Sequence, residues 1–190
     1  MGSVDWGLDQ LVDYMPPLTA AADFHQFWHN NLEQSSQAPL NPSFERLHDL
    51  LPGACVYDAS FDGVDGVRVR GWFITPEGSP ESLPTVVKFI GYSGGRSLAH
   101  VHAHHVLNGF NVFVMDSRGQ GGDTGLHLNT THGARRGFIT HGILDEREYY
   151  FRAFYLDAVR AVEVACGRPE VDAKRIAAIG GSQGGALTIA

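Results

Sequence analysis

The clearest pattern of hydrophobic and polar positions in the chain is a helical one over residues 147–166. Apolar side chains recur there at spacings of three and four residues, namely at Phe151, Phe154, Tyr155, Ala158, Val159, Val162 and Cys166. Such a stripe is typical of a helix that buries one face. Gly167 and Pro169 follow the last apolar position, and both residue types end helices. The pattern predicts a long helix over residues 147–166.

Five short segments have the patterns of β-strands. Residues 85–90, 111–115 and 175–179 are continuous apolar runs, which are typical of strands buried in a parallel sheet. Residues 55–58 and 67–74 alternate and are separated by Asp-Gly turns, which predicts an antiparallel pair.

Two further segments are predicted to be helical. Residues 20–34 follow Thr19, a suitable N-cap, and place Phe24, Phe27, Trp28 and Leu32 on one face. Residues 98–107 precede Asn108-Gly109, which is a suitable C-cap. Between residues 123 and 146 a long polar loop is predicted, of the kind that often has a functional or interface role.

The order of these elements indicates the fold class. Prolines at positions 39, 42 and 52 mark a linker, so residues 1–53 are predicted to be a helical lead-in that packs on the sheet. Within residues 54–190, strands alternate with helices, which predicts an α/β fold with a mostly parallel sheet and helices on both faces. Functional loops should then lie at the carboxyl ends of the strands.

Composition narrows the classes of partner. The 190 residues are 43% hydrophobic and 18% charged with a net charge of −7, which predicts one globular domain and argues against a nucleic-acid partner. No apolar run approaches the ~20 residues that span a bilayer, and the N-terminus lacks a secretory signal pattern, so a cytoplasmic location and no membrane partner are predicted. Cys55 and Cys166 are expected to be reduced thiols.

The glycine-rich stretch GGSQGG at residues 180–185 is the strongest candidate for chemistry. It contains G-x-S-x-G between a predicted strand and a helix that should begin near Ala186, which is the pattern of a nucleophile elbow. Small residues are needed because the strand and the helix pack closely around a strained serine. Ser182 is therefore the candidate nucleophile. The alternative is a glycine-rich turn that binds phosphate or only reverses the chain, although the G-x-G-x-x-G spacing of a dinucleotide site is absent.

Two other loops follow predicted strands at the same edge of the sheet: one contains Tyr92 and the other contains residues 118–120. An attacking serine needs two N–H donors for the oxyanion, and the backbone amides of Gln183 and Tyr92 are the candidates. For Tyr92 the alternative is a plain strand-to-helix turn with an exposed tyrosine. Arg118, Gly119 and Gln120 form the other loop, and Arg118 is expected to hold it by pairing with a carboxylate.

Histidines invite a metal hypothesis in two places. His25 and His29 form an i,i+4 pair, and four histidines at positions 100, 102, 104 and 105 lie in the predicted helix of residues 98–107. No cysteine or carboxylate partner is placed nearby and no H-E-x-x-H motif is present. Solvated or packed histidines are therefore expected, and no metal or cofactor is predicted.

Five runs follow one another along the chain: GYSGGR (91–96), VMDSRGQG (114–121), GFITHGILD (137–145), DAVRAVE (157–163) and GGSQGG (180–185). Together they are the basis of a resemblance to the acetyl xylan esterase / cephalosporin C deacetylase family of α/β-hydrolases. It implies an α/β-hydrolase fold in which Ser182 is the nucleophile and the amides of Tyr92 and Gln183 form the oxyanion hole. It also implies metal-free removal of acetyl groups from small acetylated sugars or related alcohols, inside the cell, by a ring-like hexamer.

The sequence departs from the family pattern in three respects. Ser93 stands where the family often has asparagine, and the loop after Gly122, which contains His127, His132 and His141, is expected to be reworked. All ten histidines precede Ser182, although the fold's order is Ser, Asp, His. The catalytic Asp and His are therefore expected beyond Ala190, so that residues 54–190 would be the N-terminal part of an α/β-hydrolase domain truncated after the elbow. The chain as given is expected to be inactive.

Two alternatives of other classes remain open at this point. The chain could be a degenerate family member that acts as a non-catalytic binding module. It could also be another serine hydrolase, such as a thioesterase, a peptidase or a dienelactone-type hydrolase, with the same elbow.

Overall fold

The computed structural model describes residues 5–79, 81–127 and 137–190, which form a six-stranded sheet with helices. The strands are β1 (Ser43–Leu47), β2 (Ala54–Asp62), β3 (Arg68–Pro76), β4 (Leu83–Phe89), β5 (Asn111–Met115) and β6 (Val171–Gly180). The α-helices are α1 (Leu8–Val12), α2 (Phe24–Gln37), α3 (Ala103–Leu107), α4 (Tyr150–Cys166) and α5 (Gln183–Ile189). Short 3-10 turns cover Val64–Gly66, Ala99–His102 and Phe138–Thr140.

The sheet is mixed, with the strand order β1-β2-β3-β5-β4-β6. Strands β5, β4 and β6 are parallel neighbours, whereas β1, β2, β3 and β5 pair antiparallel in succession. The α/β fold class predicted from the sequence is confirmed. The described sheet is mixed rather than mostly parallel because β1, β2 and β3 are joined by connections too short to allow a parallel crossover.

Strand β5 lies inside the sheet, and its residues separate the two layers of the core. Phe113 and Met115 belong to the cluster beneath α4, together with Phe154. Val112 and Val114 face the other way and pack in the smaller cluster, which includes Val106 of α3. All five residues of β5 are buried, which explains why the four that follow Asn111 are all apolar. Burial of one such side chain contributes about 1.5–3 kcal/mol.

Several boundaries differ from the sequence predictions. The predicted linker contains an edge strand, β1, which pairs with β2 across the boundary drawn at residue 53. The second helix begins at Phe24 with Asp23 at its N-cap, so the assignment of Thr19 was wrong. Residues 98–107 are a 3-10 turn followed by the short helix α3, and β6 is longer than residues 175–179. The division into 1–53 and 54–190 stays a prediction.

A buried arginine fastens the N-terminal segment to α4. The guanidinium of Arg160 donates to the carbonyl oxygens of Ser35 (2.6 Å), Asp62 (2.7 Å) and Pro39 (2.7 Å). Arg160 is 1% exposed, and Ser35 lies in the last turn of α2, where a cation is favourable. This contact joins α2 and the end of β2 to the long helix.

Cys55 and Cys166 are both free and half-buried. Within residues 5–79, 81–127 and 137–190, the structure contains no helix with the length and apolar character needed to cross a bilayer.

Candidate active site

Ser182 stands at the turn that joins β6 to α5. Its backbone has φ 54° and ψ −122°, a conformation that residues other than glycine rarely adopt and that stores about 1–3 kcal/mol of strain. A Cβ added at Gly180 would overlap the backbone of Gly184, and one at Gly184 would overlap the carbonyl group of Phe89. The glycines therefore let β6, α5 and β4 approach closely, as the elbow pattern requires.

The helix after the elbow begins directly behind the serine. The carbonyl oxygen of Ser182 accepts from the N–H of Gly185 (2.9 Å) and of Ala186 (3.2 Å). Helix α5 therefore starts at Gln183, three residues before the predicted position. Because the first N–H groups of a helix have no intrahelical acceptor, the amide of Gln183 is available for an external oxygen.

The loop after β4 lies next to the elbow. Tyr92 is 41% exposed, and its hydroxyl accepts from the backbone N–H of Phe138 at 3.0 Å. The two rings meet edge to face with centroids 6.0 Å apart. Tyr92 is thus not a plain exposed turn residue, since it attaches the segment beginning at Gly137 to the loop.

The backbone N–H groups of Tyr92 and Gln183, the two predicted oxyanion donors, both lack an acceptor among the described residues. The hydrogen bonds found among the described residues include none donated by the backbone N–H of Tyr92 or of Gln183. A free N–H on each of two neighbouring loops is what a developing oxyanion needs. Their role as an oxyanion hole stays a prediction.

Gln120 connects these two loops through its side-chain amide. Its Oε1 accepts from the backbone N–H of Ser93 at 2.7 Å. Its Nε2 donates to Oε1 of Gln183 at 3.0 Å and to the hydroxyl of Tyr150 at 2.7 Å. Nε2 of Gln183 donates back to Oε1 of Gln120 at 3.2 Å and to the carbonyl of Ile90 at 3.4 Å. The structure thus brings Tyr92, Gln120 and Gln183 together.

Arg118 lies behind this loop in a buried ion pair with Asp157 of α4. Its Nε and an Nη atom donate to the two carboxylate oxygens at 2.6 and 2.7 Å. Burial lowers the pKa of Arg118, but the charge of Asp157 outweighs it and the net pKa is raised. The expected structural role, pairing with a carboxylate, agrees with this geometry. Gly119, with φ 65°, makes the turn between Arg118 and Gln120.

Two residues that the sequence reasoning missed hold the ends of these loops. Asp116 is fully buried, and its carboxylate accepts four backbone N–H groups, from Arg96, Ser117, Asp123 and Thr124. Arg96 donates to Asp58 and Asp123 and stacks on Trp72, with its Cζ 3.9 Å from the ring centroid. The position of Asp116 directly after the apolar run of β5 was the available signal.

An aromatic cluster stands beside Tyr92. Phe138 contacts Tyr92, His141 and Tyr150, with ring centroids 5.2–6.0 Å apart. Tyr150 is buried, and its hydroxyl donates to the carbonyl of Arg118 at 2.8 Å. Burial strongly raises the pKa of Tyr150, so this hydroxyl stays protonated. The cluster forms an aromatic wall at Tyr92, the residue of one candidate oxyanion donor.

The histidine-rich segment forms a separate group on the other face of the sheet. His102 is buried, with Nε2 2.9 Å from the carbonyl oxygen of Arg96 and Nδ1 3.4 Å from Nζ of Lys88. Burial lowers the pKa of His102 and lowers that of His105 to about 4. No set of three or more histidine, cysteine or acidic side chains within the described ranges could hold a metal ion. His132, one of the loop histidines, lies outside the described residues.

Comparison with known proteins agrees with this geometry. A sequence model of the acetyl xylan esterase (AXE1) family matches residues 1–190. The chain belongs to the acetyl xylan esterase family. The acetyl xylan esterase from Paenibacillus sp. R4 is 42% identical with a TM-score of 0.91, over 96% of this chain and 58% of its own.

Two other relatives support the same family. Acetyl xylan esterase 1 from Thermoanaerobacterium sp. JW/SL YS485 is 29% identical with a TM-score of 0.91, over 97% of this chain and 58% of its own. The acetyl esterase Axe7A of Xylanibacter ruminicola is 25% identical over 176 residues, which are 88% of this chain and 39% of that protein. The chain therefore spans well under two thirds of the length of each of these acetyl xylan esterase family relatives.

Proposed function

We propose that the protein is a serine carboxylesterase that removes acetyl groups from small acetylated carbohydrates or related alcohols. The observation that supports this most strongly is the strained backbone of Ser182, φ 54°, beside the backbone N–H groups of Gln183 and Tyr92, for which the described residues provide no acceptor. The solved acetyl xylan esterase structures from Paenibacillus sp. R4 and Thermoanaerobacterium sp. JW/SL YS485 align with 96% and 97% of this chain.

The proposed reaction passes through an acetyl-enzyme. Oγ of Ser182 attacks the acetyl carbonyl carbon while a general base takes the hydroxyl proton. The oxyanion that forms accepts hydrogen bonds from the backbone amides of Gln183 and Tyr92. Collapse of this intermediate breaks the ester bond, and the alcohol leaves with a proton returned by the base. Water then attacks the acetyl-enzyme by the same steps and releases acetate.

The described residues give Ser182 no histidine partner that could act as the general base. No hydrogen bond of the described residues joins the hydroxyl of Ser182 to a histidine, and all ten histidines precede it in sequence. In this fold the acid and the histidine follow the nucleophile in the chain. We propose that an aspartate and then a histidine encoded after Ala190 complete the triad. Accordingly, the 190-residue chain by itself should hydrolyse esters poorly, because loss of the base removes most of the acceleration.

The aromatic wall of Tyr92, Phe138 and Tyr150 gives a reason to favour short acyl groups. The ring of Phe138 packs against those of Tyr92 and Tyr150, and the N–H of Phe138 donates to the hydroxyl of Tyr92. We infer that these rings border the space for the acyl group, so that a chain longer than acetyl would meet them. Preference for acetyl esters over longer acyl esters is therefore expected.

A substrate panel tests this function. The protein expressed from its complete reading frame, hereafter the full-length protein, would be assayed with acetylated xylo-oligosaccharides, aryl acetate, aryl octanoate, an acetyl thioester and a peptide. Acetate release that is lost in Ser182→Ala would support the proposal. Faster turnover of the octanoate, the thioester or the peptide would favour another serine hydrolase, and an inactive full-length protein would favour a binding module. The hexameric assembly, the cytoplasmic location and activity on cephalosporin C remain predictions.

A further inference from the structure

We propose that Gln120 is a positioning residue that fixes the distance between the two oxyanion donors, the backbone N–H groups of Tyr92 and Gln183. This inference rests on the proposed esterase function. Gln120 lies in neither donor loop, but its side-chain amide forms hydrogen bonds to both. It is therefore a rigid bridge between two segments that are separated by about ninety residues of sequence.

The bridge to the elbow is a reciprocal amide pair. Nε2 of Gln120 donates to Oε1 of Gln183 at 3.0 Å, and Nε2 of Gln183 donates to Oε1 of Gln120 at 3.2 Å. Two parallel hydrogen bonds fix orientation as well as distance, which a single contact does not. The backbone N–H of Gln183 belongs to the residue held in this way, so its direction depends on the pair.

The bridge to the other donor acts through the next peptide group. Oε1 of Gln120 accepts from the N–H of Ser93 at 2.7 Å, directly after Tyr92. Ser93 has φ 62°, a left-handed conformation that is unfavourable for serine. This hydrogen bond to Gln120 therefore anchors the peptide group that directly follows Tyr92, and with it the position of the Tyr92 backbone.

The amide of Gln120 has no remaining capacity for substrate. Its Nε2 uses both hydrogens, toward Gln183 and the hydroxyl of Tyr150, and its Oε1 accepts two bonds. Tyr150 is buried and anchored on the carbonyl of Arg118, so rotation of the amide would break its bonds to three fixed partners. These contacts define a residue that acts through its neighbours rather than by touching the ester.

The consequence is an effect on turnover rather than on substrate binding. The oxyanion exists only after the serine attacks, so misplaced donors destabilise the transition state and leave the ground-state complex nearly unchanged. A displacement of about 1 Å in such a site lowers the rate by up to about 100-fold. Gln120→Ala is expected to lower kcat by about 10- to 100-fold and to change KM by less than about 3-fold.

A second variant, Gln120→Glu, distinguishes loss of the hydrogen bonds of Gln120 from loss of its side-chain volume. Gln120→Glu keeps the size of the side chain and can still accept from the N–H of Ser93. It lacks the N–H that reaches Oε1 of Gln183, so two oxygens would face each other at that contact. We expect Gln120→Glu to lower kcat as Gln120→Ala does, without a matching loss of melting temperature.

The test compares kcat and KM for aryl acetate in the full-length protein and four variants. These are Gln120→Ala, Gln120→Glu, Gln183→Ala and the double variant Gln120→Ala/Gln183→Ala. Gln183→Ala removes the amide pair but keeps the backbone N–H. Because both substitutions break the same pair, the double variant should lose no more than about 3-fold beyond Gln120→Ala. Gln26→Ala is the control, since its amide contacts Asn30 on the exposed surface of α2.

The possible results separate the positioning role of Gln120 from the proposed esterase activity. An active full-length protein in which Gln120→Ala and Gln120→Glu both keep wild-type kcat would overturn the positioning role and leave the esterase function intact. Fully additive losses for Gln120 and Gln183 would also overturn it. An inactive full-length protein would refute the esterase function and this inference together. A drop in kcat with constant KM, shared by both Gln120 variants, is the expected result.

Discussion

Arg118 and Asp157 form a bidentate ion pair between the loop after β5 and the middle of α4, with N–O distances of 2.6 and 2.7 Å. Both side chains are almost completely buried, at 2% and 1% exposure. Oδ1 of Asp157 also accepts from the N–H of Val64 at 3.0 Å, and an Nη atom of Arg118 donates to the carbonyl of Val64 at 3.1 Å. The pair therefore closes a network in which all its charged groups are hydrogen-bonded.

Breaking this pair should strongly destabilise the fold. Asp157→Asn leaves the charge of Arg118 buried without its counter-ion, so the free energy of unfolding should fall by about 3–5 kcal/mol. Chemical denaturation at pH 7 measures this value. Asp13→Asn, at an exposed position after α1, is the matched control and should change stability by less than about 0.5 kcal/mol. A loss of less than 1 kcal/mol for Asp157→Asn would contradict the assigned burial of the pair.

The backbone of Ser182 predicts a difference between two substitutions that both remove the hydroxyl. Ser182→Gly relieves the strain of φ 54°, whereas Ser182→Ala keeps it. Glycine also gains more freedom on unfolding, which offsets part of the relief. We expect the glycine variant to be more stable than the alanine variant by about 1 kcal/mol. Thermal and denaturant unfolding of the two variants measure this, and a more stable alanine variant would refute the strained elbow.

Ser93 provides a smaller test of backbone conformation. Its φ of 62° lies in the left-handed region, where asparagine is tolerated better than serine. Ser93→Asn should therefore raise the free energy of unfolding by about 0.5 kcal/mol. The same change at Ser36, which is helical within α2, should give no gain, because asparagine is no better than serine in a helix. Equal effects at the two positions would contradict the left-handed geometry.

The histidine group should make the protein sensitive to mild acid. Burial, with smaller effects of His104, Lys88 and His102, lowers the pKa of His105 from 6.5 to about 4. A lowered folded-state pKa means that the unfolded chain binds the proton first, so stability is complete above about pH 6.5 and falls as the pH drops toward 4. His105→Gln should lose less stability than the wild type between pH 7 and pH 4.5.

Denaturant unfolding at these two pH values measures the effect. Leu107→Gln, at an exposed position in the same helix, is the control, and its pH dependence should run parallel to that of the wild type. Identical pH dependence for His105→Gln and the wild type would show that His105 does not titrate in the way its burial implies.

The elements with strong patterns could be predicted from the sequence. The fully buried strand β5 was predicted with its correct bounds. The strand-turn-helix at Ser182 was predictable because close backbone contacts require glycine at positions 180 and 184, which leaves a recognisable G-x-S-x-G pattern in the sequence. Strand β1 was missed because SFERL has no clear alternation and its residues are exposed or half-buried. Its strand conformation comes from pairing with β2 rather than from its own sequence.

The contacts within the site were less predictable. A carboxylate partner for Arg118 was expected, but Asp157 lies 39 residues away in a helix read only for its apolar face. The amide pair between Gln120 and Gln183 depends on the side-chain rotamers of two residues that are 63 positions apart in the sequence. No spacing rule connects them, because the sheet topology and not the sequence separation brings the loops together.

The most direct test of the proposed function is to look for the acetyl-enzyme. The full-length protein would be mixed with an activated acetyl ester, quenched with acid after short times, digested and analysed by mass spectrometry. We predict that the peptide containing Ser182 gains one acetyl group during turnover, and that Ser182→Ala shows neither this peptide nor acetate release. Steady acetate release with no acetyl group on Ser182, or with the acetyl group on another residue, would contradict a nucleophilic role for Ser182.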